Sequence, residues 1–291
     1  MRTETAQQLT ALGLDAGGVA EVIRIALAED LGPRLLDVTA TATIPADQVD
    51  TAELIARADG VVAGLAVAAA VFEAVDPRVE VTLLVADGTA VVRGDVLARV
   101  SGPTRALLTS ERTALNLLCR MSGVATHTRR WVEQLVGTKA QVLDTRKTTP
   151  GLRALEKYAV RAGGGTNKRM GLFDVAMIKD NHKLAAGSVT AAYRRVRETF
   201  PDVGVQVEVT TLAEALEAVE AGADFLLLDN MTPEQLTEIV AAVGDRAELE
   251  ATGGLVLANA AAYAATGVDY LSVGGLTHSS PILDIAMDLR S

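Results

Sequence analysis

The chain has 291 residues, 49% of them hydrophobic and 22% charged, with 27 Lys+Arg against 37 Asp+Glu for a formal net charge of −10. That composition builds one large or two smaller packed domains and excludes a disordered chain, and an acidic balance without a basic stripe argues against broad nucleic-acid binding. A lone cysteine, Cys119, excludes an internal disulfide and fits a reducing cytoplasm; no apolar signal core opens the chain, and the most apolar stretch, 60–75, is interrupted by Gly64 and Glu73, so no membrane span is expected.

The first hundred residues mix two periodicities. Residues 19–29 and the Ala-rich 65–75 carry the three-to-four spacing of helices, whereas 51–58, 79–85, 90–92 and 97–100 alternate or run apolar like short strands. Turn signals at Asp87-Gly88 and Arg93-Gly94 separate the later runs, which suits a small, mostly antiparallel sheet. A helix is expected over 109–121, after Pro103. An N-terminal α+β domain is therefore placed at 1–116, with the tail 286–291 expected to pack on it.

Beyond residue 138 the pattern becomes regular. Six short apolar runs each end in polar residues or glycine: 140–143 at Asp144, 175–178 at Lys179, 205–209 around Glu208, 225–228 at Asp229, 247–250 at Thr252-Gly253-Gly254, and 270–273 at Gly274-Gly275. From Glu208 onward these ends recur about every 21 residues, the length of a strand plus a helix. Continuous apolar runs of this kind are parallel strands buried on both faces. The fold class expected is α/β, with residues 117–285 forming an incomplete parallel α/β barrel of fewer than eight strands.

Parallel α/β enzymes place their chemistry at the carboxyl ends of the strands, and the polar residues here gather at those ends. Arg146, Lys147, Lys168, Arg169 and Lys179 would converge there into a pocket for a small polyanion: Arg grips carboxylates bidentately, and Lys offers a compact charge to phosphate. Glu208 and Asp229, on successive strand ends, suit Mg2+ shared with substrate phosphates and equally suit salt bridges to those cations. The glycine pairs of the last two strands allow close backbone approach to a phosphate, although tight βα turns require glycine as well. The three histidines, His127, His182 and His278, lack metal-ligand spacing; His182 is a candidate to order the pocket.

The motifs DTRKTTPGLRALEKYAVRAGGG, MGLFD, IKDNH, LLDNM, ATGGL and GVDYLSVGGLTHS, with ALAEDLG and LLTSERTALNLLCRMSGVAT upstream, resemble the quinolinate phosphoribosyltransferase family over essentially the whole chain. The resemblance implies an N-terminal α/β sandwich followed by an incomplete barrel, and a homodimer whose sites close across subunits. It implies Mg2+-dependent transfer of a phosphoribosyl group from phosphoribosyl pyrophosphate to quinolinate, with release of pyrophosphate and carbon dioxide and formation of nicotinate mononucleotide for NAD synthesis. Carried over by motif, Arg112 would reach the partner's pocket, while Arg146, Arg169 and Lys179 would hold the acceptor carboxylates, with Lys147 near both substrates. Glu208 and Asp229 would serve the ribose hydroxyls and Mg2+, and Thr252, Gly253, Gly254, Ser272, Gly274 and Gly275 would cradle the 5′-phosphate.

Three positions depart from the family pattern. Asn167-Lys168-Arg169 stands where Asn-His-Arg is usual, Gln206 where an acid is common, and Thr252 where Ser is frequent. The lysine changes reach and hydrogen-bond geometry, so a different pyridine carboxylate acceptor is the alternative expectation. An anion-binding scaffold without catalysis is a third reading, opposed by the intact donor-side residues.

Overall fold

The computed structural model describes residues 1–290 and divides into two compact units. The first comprises Met1–Arg129, Thr149–Gly164 and 279–290; the second comprises Arg130–Thr148 and Gly165–His278. The boundary expected after residue 116 lies inside a single helix, and residue 291 of the expected tail lies outside the described residues.

In the first unit, helices α1 (Thr3–Ala11), α2 (Ala16–Leu31) and α3 (Val38–Thr43) precede strands β1 (Val49–Ala56) and β2 (Gly60–Val61). Helix α4 (Leu65–Val75), strands β3 (Glu80–Leu83), β4 (Ala90–Val91) and β5 (Val96–Pro103), and the long helix α5 (Thr104–Gln134) follow. Strand β12 (Ile285–Arg290) returns to pair with β1, giving the antiparallel order β12-β1-β5-β3. Glu53, buried on β1, lies opposite Arg99 in register and takes ion pairs from Arg99 and Arg290. Helix α4 is almost wholly buried and apolar except for Glu73, whose carboxylate accepts from the Arg2 amide and the Thr5 hydroxyl. Its first amides, on Gly64 and Leu65, donate to the Asp87 carboxylate, satisfying helix-start donors that burial would otherwise orphan.

The expected helix over 109–121 is in fact 31 residues long. Gly123, beyond the expected end and inside the helix, is required by packing. A Cβ there would stand 2.1 Å from the Pro281 carbonyl oxygen, so the glycine admits a crossing chain into the helix groove.

The second unit holds strands β6 (Gln141–Leu143), β7 (Val175–Ile178), β8 (Gly204–Val209), β9 (Phe225–Asp229), β10 (Glu248–Thr252) and β11 (Tyr270–Ser272). They form one parallel sheet in the order β6-β11-β10-β9-β8-β7. The six runs read from the sequence are these six strands, shifted at their ends by up to two residues. Helices α7 (Asp180–Ala186), α8 (Val189–Thr199), α9 (Leu212–Glu220), α10 (Pro233–Val243), α11 (Ala260–Ala264) and the short α12 (Gly275–His278) make the connections. The first strand bonds to the last, as in a barrel, but β6 and β7 are not paired. Between them the chain supplies Thr149–Gly164, with helix α6 (Arg153–Ala162), to the first unit, and this excursion leaves the barrel incomplete.

Candidate active site

The carboxyl ends of the six strands surround a cavity of about 640 Å3, a volume suited to a small ligand. Each end contributes. Beyond β6 stand Thr145, Arg146 and Lys147; beyond β7 stands Lys179; β8 supplies Glu208 and β9 supplies Asp229. Strand β10 gives Glu250 and Thr252, followed by Gly253 and Gly254, and β11 gives Ser272. Lys168 and Arg169 enter from the loop before β7.

That loop is pinned by the end of β6. The fully buried Asp144 carboxylate accepts from Asn167 Nδ2 at 2.6 Å and from the Lys168 amide at 2.8 Å, which fixes the segment carrying Lys168 and Arg169. Both are charge-assisted bonds of the stronger kind. Two glycines are also explained locally. Gly253 and Gly254 adopt φ of +90° and +62°, and a Cβ on Gly253 would stand 2.3 Å from Asn230 Oδ1, so the turn after β10 admits only glycine.

The electrostatics divide the cavity. Lys179 Nζ donates to Glu208 Oε2 at 2.7 Å, and Asp229 stands close enough to Glu208 that burial and that neighbouring charge together raise its pKa. Opposite them, Arg169 donates to the Val175 carbonyl and to Met177 Sδ, neither of which neutralises its charge. Burial and the nearby Arg146 both press its pKa downward, although a guanidinium remains protonated. Lys168 Nζ donates to Glu250 Oε1 at 2.6 Å, with side-chain exposures of 6% and 0%. Burial lowers the pKa of Lys168 and raises that of Glu250, while their attraction opposes both shifts.

The structure thus brings together Arg146, Lys147, Lys168, Arg169, Lys179, Glu208, Asp229, Thr252, Gly253, Gly254 and Ser272. Three expected residues do not line the cavity. Arg112 is exposed on α5 in the first unit, Gly275 begins α12, and Gly274 abuts Lys147, whose Cδ would lie 3.0 Å from an added Cβ. His182 orders the entrance to α7 by accepting from the Lys179 amide through Nδ1 at 3.0 Å, whereas His127 Nδ1 pairs with Ser280 Oγ in the first unit.

Sequence reasoning passed over Glu250 and Lys183. Glu250 ends a run that read as apolar strand, and only its 21-residue spacing from Asp229 marks it as the third acid in a series. Lys183 resembles a surface residue of a helix beginning, but its ammonium is buried and holds three acceptors. These are the Asp180 and Glu214 carboxylates at 2.8 and 3.0 Å and the main-chain carbonyl of Glu208 at 3.1 Å. It therefore ties α7, which follows Lys179, to the strand that presents Glu208. Among the described residues no group of three or more His, Cys, Asp or Glu is arranged to hold a metal ion. Among the described residues no helix is long and apolar enough to cross a membrane.

Comparison with known proteins bears on this arrangement. The C-terminal domain of quinolinate phosphoribosyl transferase matches residues 124–288, and its N-terminal domain matches residues 37–122. The chain belongs to the quinolinate phosphoribosyltransferase family. A nicotinate-nucleotide pyrophosphorylase (carboxylating) of Mycobacterium leprae is 49% identical over 274 residues, covering 92% of this chain and 96% of that protein. A probable enzyme of the same name from Bacillus subtilis is 43% identical, covering 90% of each chain. Among solved structures, NadC from Streptococcus pyogenes superposes with a TM-score of 0.92 at 39% identity, covering 95% of this chain and 98% of the other. The C-terminal family domain spans the whole parallel sheet and also the segments at 124–129, 149–164 and 279–288 that belong to the first unit.

Proposed function

We propose that this chain catalyses the reaction carried in the names of its relatives. A phosphoribosyl group passes from phosphoribosyl pyrophosphate to quinolinate, and nicotinate mononucleotide, pyrophosphate and carbon dioxide are formed for NAD synthesis. The observation that supports it most is the cavity itself, where Arg146, Lys168, Arg169 and Lys179 face one space. A pyridine dicarboxylate beside a pyrophosphorylated sugar is the ligand set that such a surplus of cations favours.

In this reading Arg146, Arg169 and Lys179 hold the acceptor carboxylates with Lys168 beside them, Lys147 is near both substrates, and Glu208 and Asp229 face the ribose hydroxyls. Thr252 to Gly254 and Ser272 offer small side chains and open main chain to the 5′-phosphate. The residues also fit Mg2+: two neighbouring, partly buried carboxylates without a third protein ligand suit an ion that completes its shell with water and substrate phosphate. Glu208 and Asp229 would hold it, and when bound it would make pyrophosphate a better leaving group. The protein's own work is orientation and charge neutralisation: the ring nitrogen is aligned with the sugar carbon, and the positive ring that results then draws the electrons released by decarboxylation. No nucleophilic side chain is required.

Arg112, exposed on α5 and outside the cavity lining, completes the site of a second subunit in a homodimer. Mixing Arg112→Ala with Arg169→Ala subunits restores part of the activity through hybrid sites; verified hybrids without rescue would exclude it. The function itself is tested by incubating the protein with quinolinate, phosphoribosyl pyrophosphate and Mg2+. Nicotinate mononucleotide and carbon dioxide in equal amounts are expected, and their absence beside an active control enzyme rejects the assignment.

A further inference from the structure

Stability gives no reason for an ion pair at the floor of this cavity. Taking a lysine and a glutamate out of water carries a desolvation penalty that their attraction repays only when every remaining donor and acceptor is also bonded. Here the repayment is incomplete. Glu250 Oε1 accepts from Lys168, but Glu250 Oε2 is buried without a well-formed hydrogen bond among the described residues, the Ser272 hydroxyl being the polar group beside it. In register Glu250 stands between Leu227 on β9 and Tyr270 on β11, in the middle of the sheet, where an apolar side chain would pack without that penalty. A costly, half-satisfied carboxylate lining a ligand cavity points to a role toward the ligand.

The geometry around Lys168 indicates what that role is. Its main chain is fixed by Asp144 Oδ1 and its ammonium by Glu250 Oε1, so a long, flexible side chain is held at both ends. Arg169 and Lys179 are near enough to repel that ammonium, and Glu250 is the acid that opposes them. Without it, a four-carbon stem would let the charge swing toward solvent or shed its proton.

We propose that Glu250 is a positioning residue for the acceptor end of this site: it pins the Lys168 ammonium at the cavity floor as a preorganised third cation beside Arg146 and Arg169, matched to an acceptor with two carboxylates. The inference rests on the functional reading above. Preorganisation removes the cost of ordering the lysine when the acceptor arrives, so its loss falls on acceptor affinity and leaves the donor untouched.

Steady-state kinetics of the full chain with quinolinate and phosphoribosyl pyrophosphate test it. Glu250→Gln, which keeps the shape and removes the charge, raises the acceptor KM about tenfold or more while the donor KM stays within about twofold. Glu250→Asp retains the charge and recovers most of that loss. The paired replacement Lys168→Met with Glu250→Leu keeps or raises the melting temperature, because an apolar pair replaces an ion pair, and still loses acceptor affinity. A wild type without turnover sinks the functional reading and this inference with it. With an active wild type, the inference alone is overturned by an unchanged Glu250→Gln variant, by equal rises in both KM values, or by a paired apolar variant that retains acceptor affinity.

Discussion

Each unit of the protein buries an ion pair, and the two pairs are built differently. In the first unit Arg120 donates to Glu156 Oε1 through both Nε and Nη2, and Thr149 supplies its hydroxyl to Oε1 and its amide to Oε2, so both carboxylate oxygens are bonded. Arg120 Nη1 goes on to the Ser280 carbonyl, and the cluster joins three stretches of chain that are distant in sequence. In the second unit Lys168 satisfies one oxygen of Glu250, and the other lies beside the Ser272 hydroxyl without a well-formed bond, at the edge of a cavity. A saturated network serves the fold; one that keeps a valence open serves a ligand.

Breaking each side of that contrast has a distinct signature. The largest effect belongs to the cavity: Arg169→Ala, which removes a cavity-lining guanidinium, lowers kcat/KM by about 100-fold or more with little change in melting temperature. In the first unit Glu156→Ala removes the buried carboxylate that Arg120 and Thr149 share and costs about 3–5 kcal/mol in urea unfolding, while the KM values of the folded protein hold. Lys183→Met separates the two kinds of effect. It frees the Glu208 carbonyl and the start of α7, so kcat/KM falls several-fold and stability falls by about 1–2 kcal/mol. An unaltered kcat/KM in that variant would show that Lys183 only staples helices.

The smallest effect concerns Cys119. Burial pushes its thiol above the ordinary value of 9.0, so the folded thiol keeps its proton where the unfolded chain begins to lose it. Stability contributed by this group is present below that value and declines as pH rises through the folded pKa. Alkylation at pH 8 is therefore slow and tracks unfolding; rapid modification of the native protein would contradict the burial.

Much of the second unit was legible in the sequence, for a physical reason. Parallel strands buried on both faces must be continuous apolar runs, and each must stop where the chemistry begins, so Asp144, Lys179, Glu208 and Asp229 announce themselves. The first unit was less legible. Its helix α5 runs well beyond the expected 109–121, and the glycine within it is explained only by the chain crossing at Pro281. The excursion of Thr149–Gly164 between units was hidden as well, since nothing in a helical periodicity names the surface it packs against. Within the site, the cations were visible as a surplus against an acidic background. Glu250 was not, because an acid at the end of an apolar run shows its worth only when its partner, 82 residues away, is found at 2.6 Å.

The measurement that bears most directly on the account is a crystal structure of the protein with quinolinate bound. The account predicts the two carboxylates on Arg146, Arg169 and Lys168, the Lys168–Glu250 pair intact beneath them, and the ring nitrogen turned toward Glu208 and Asp229. Quinolinate seated away from these cations, or Lys168 swung out of the cavity with Glu250 left alone, would contradict it.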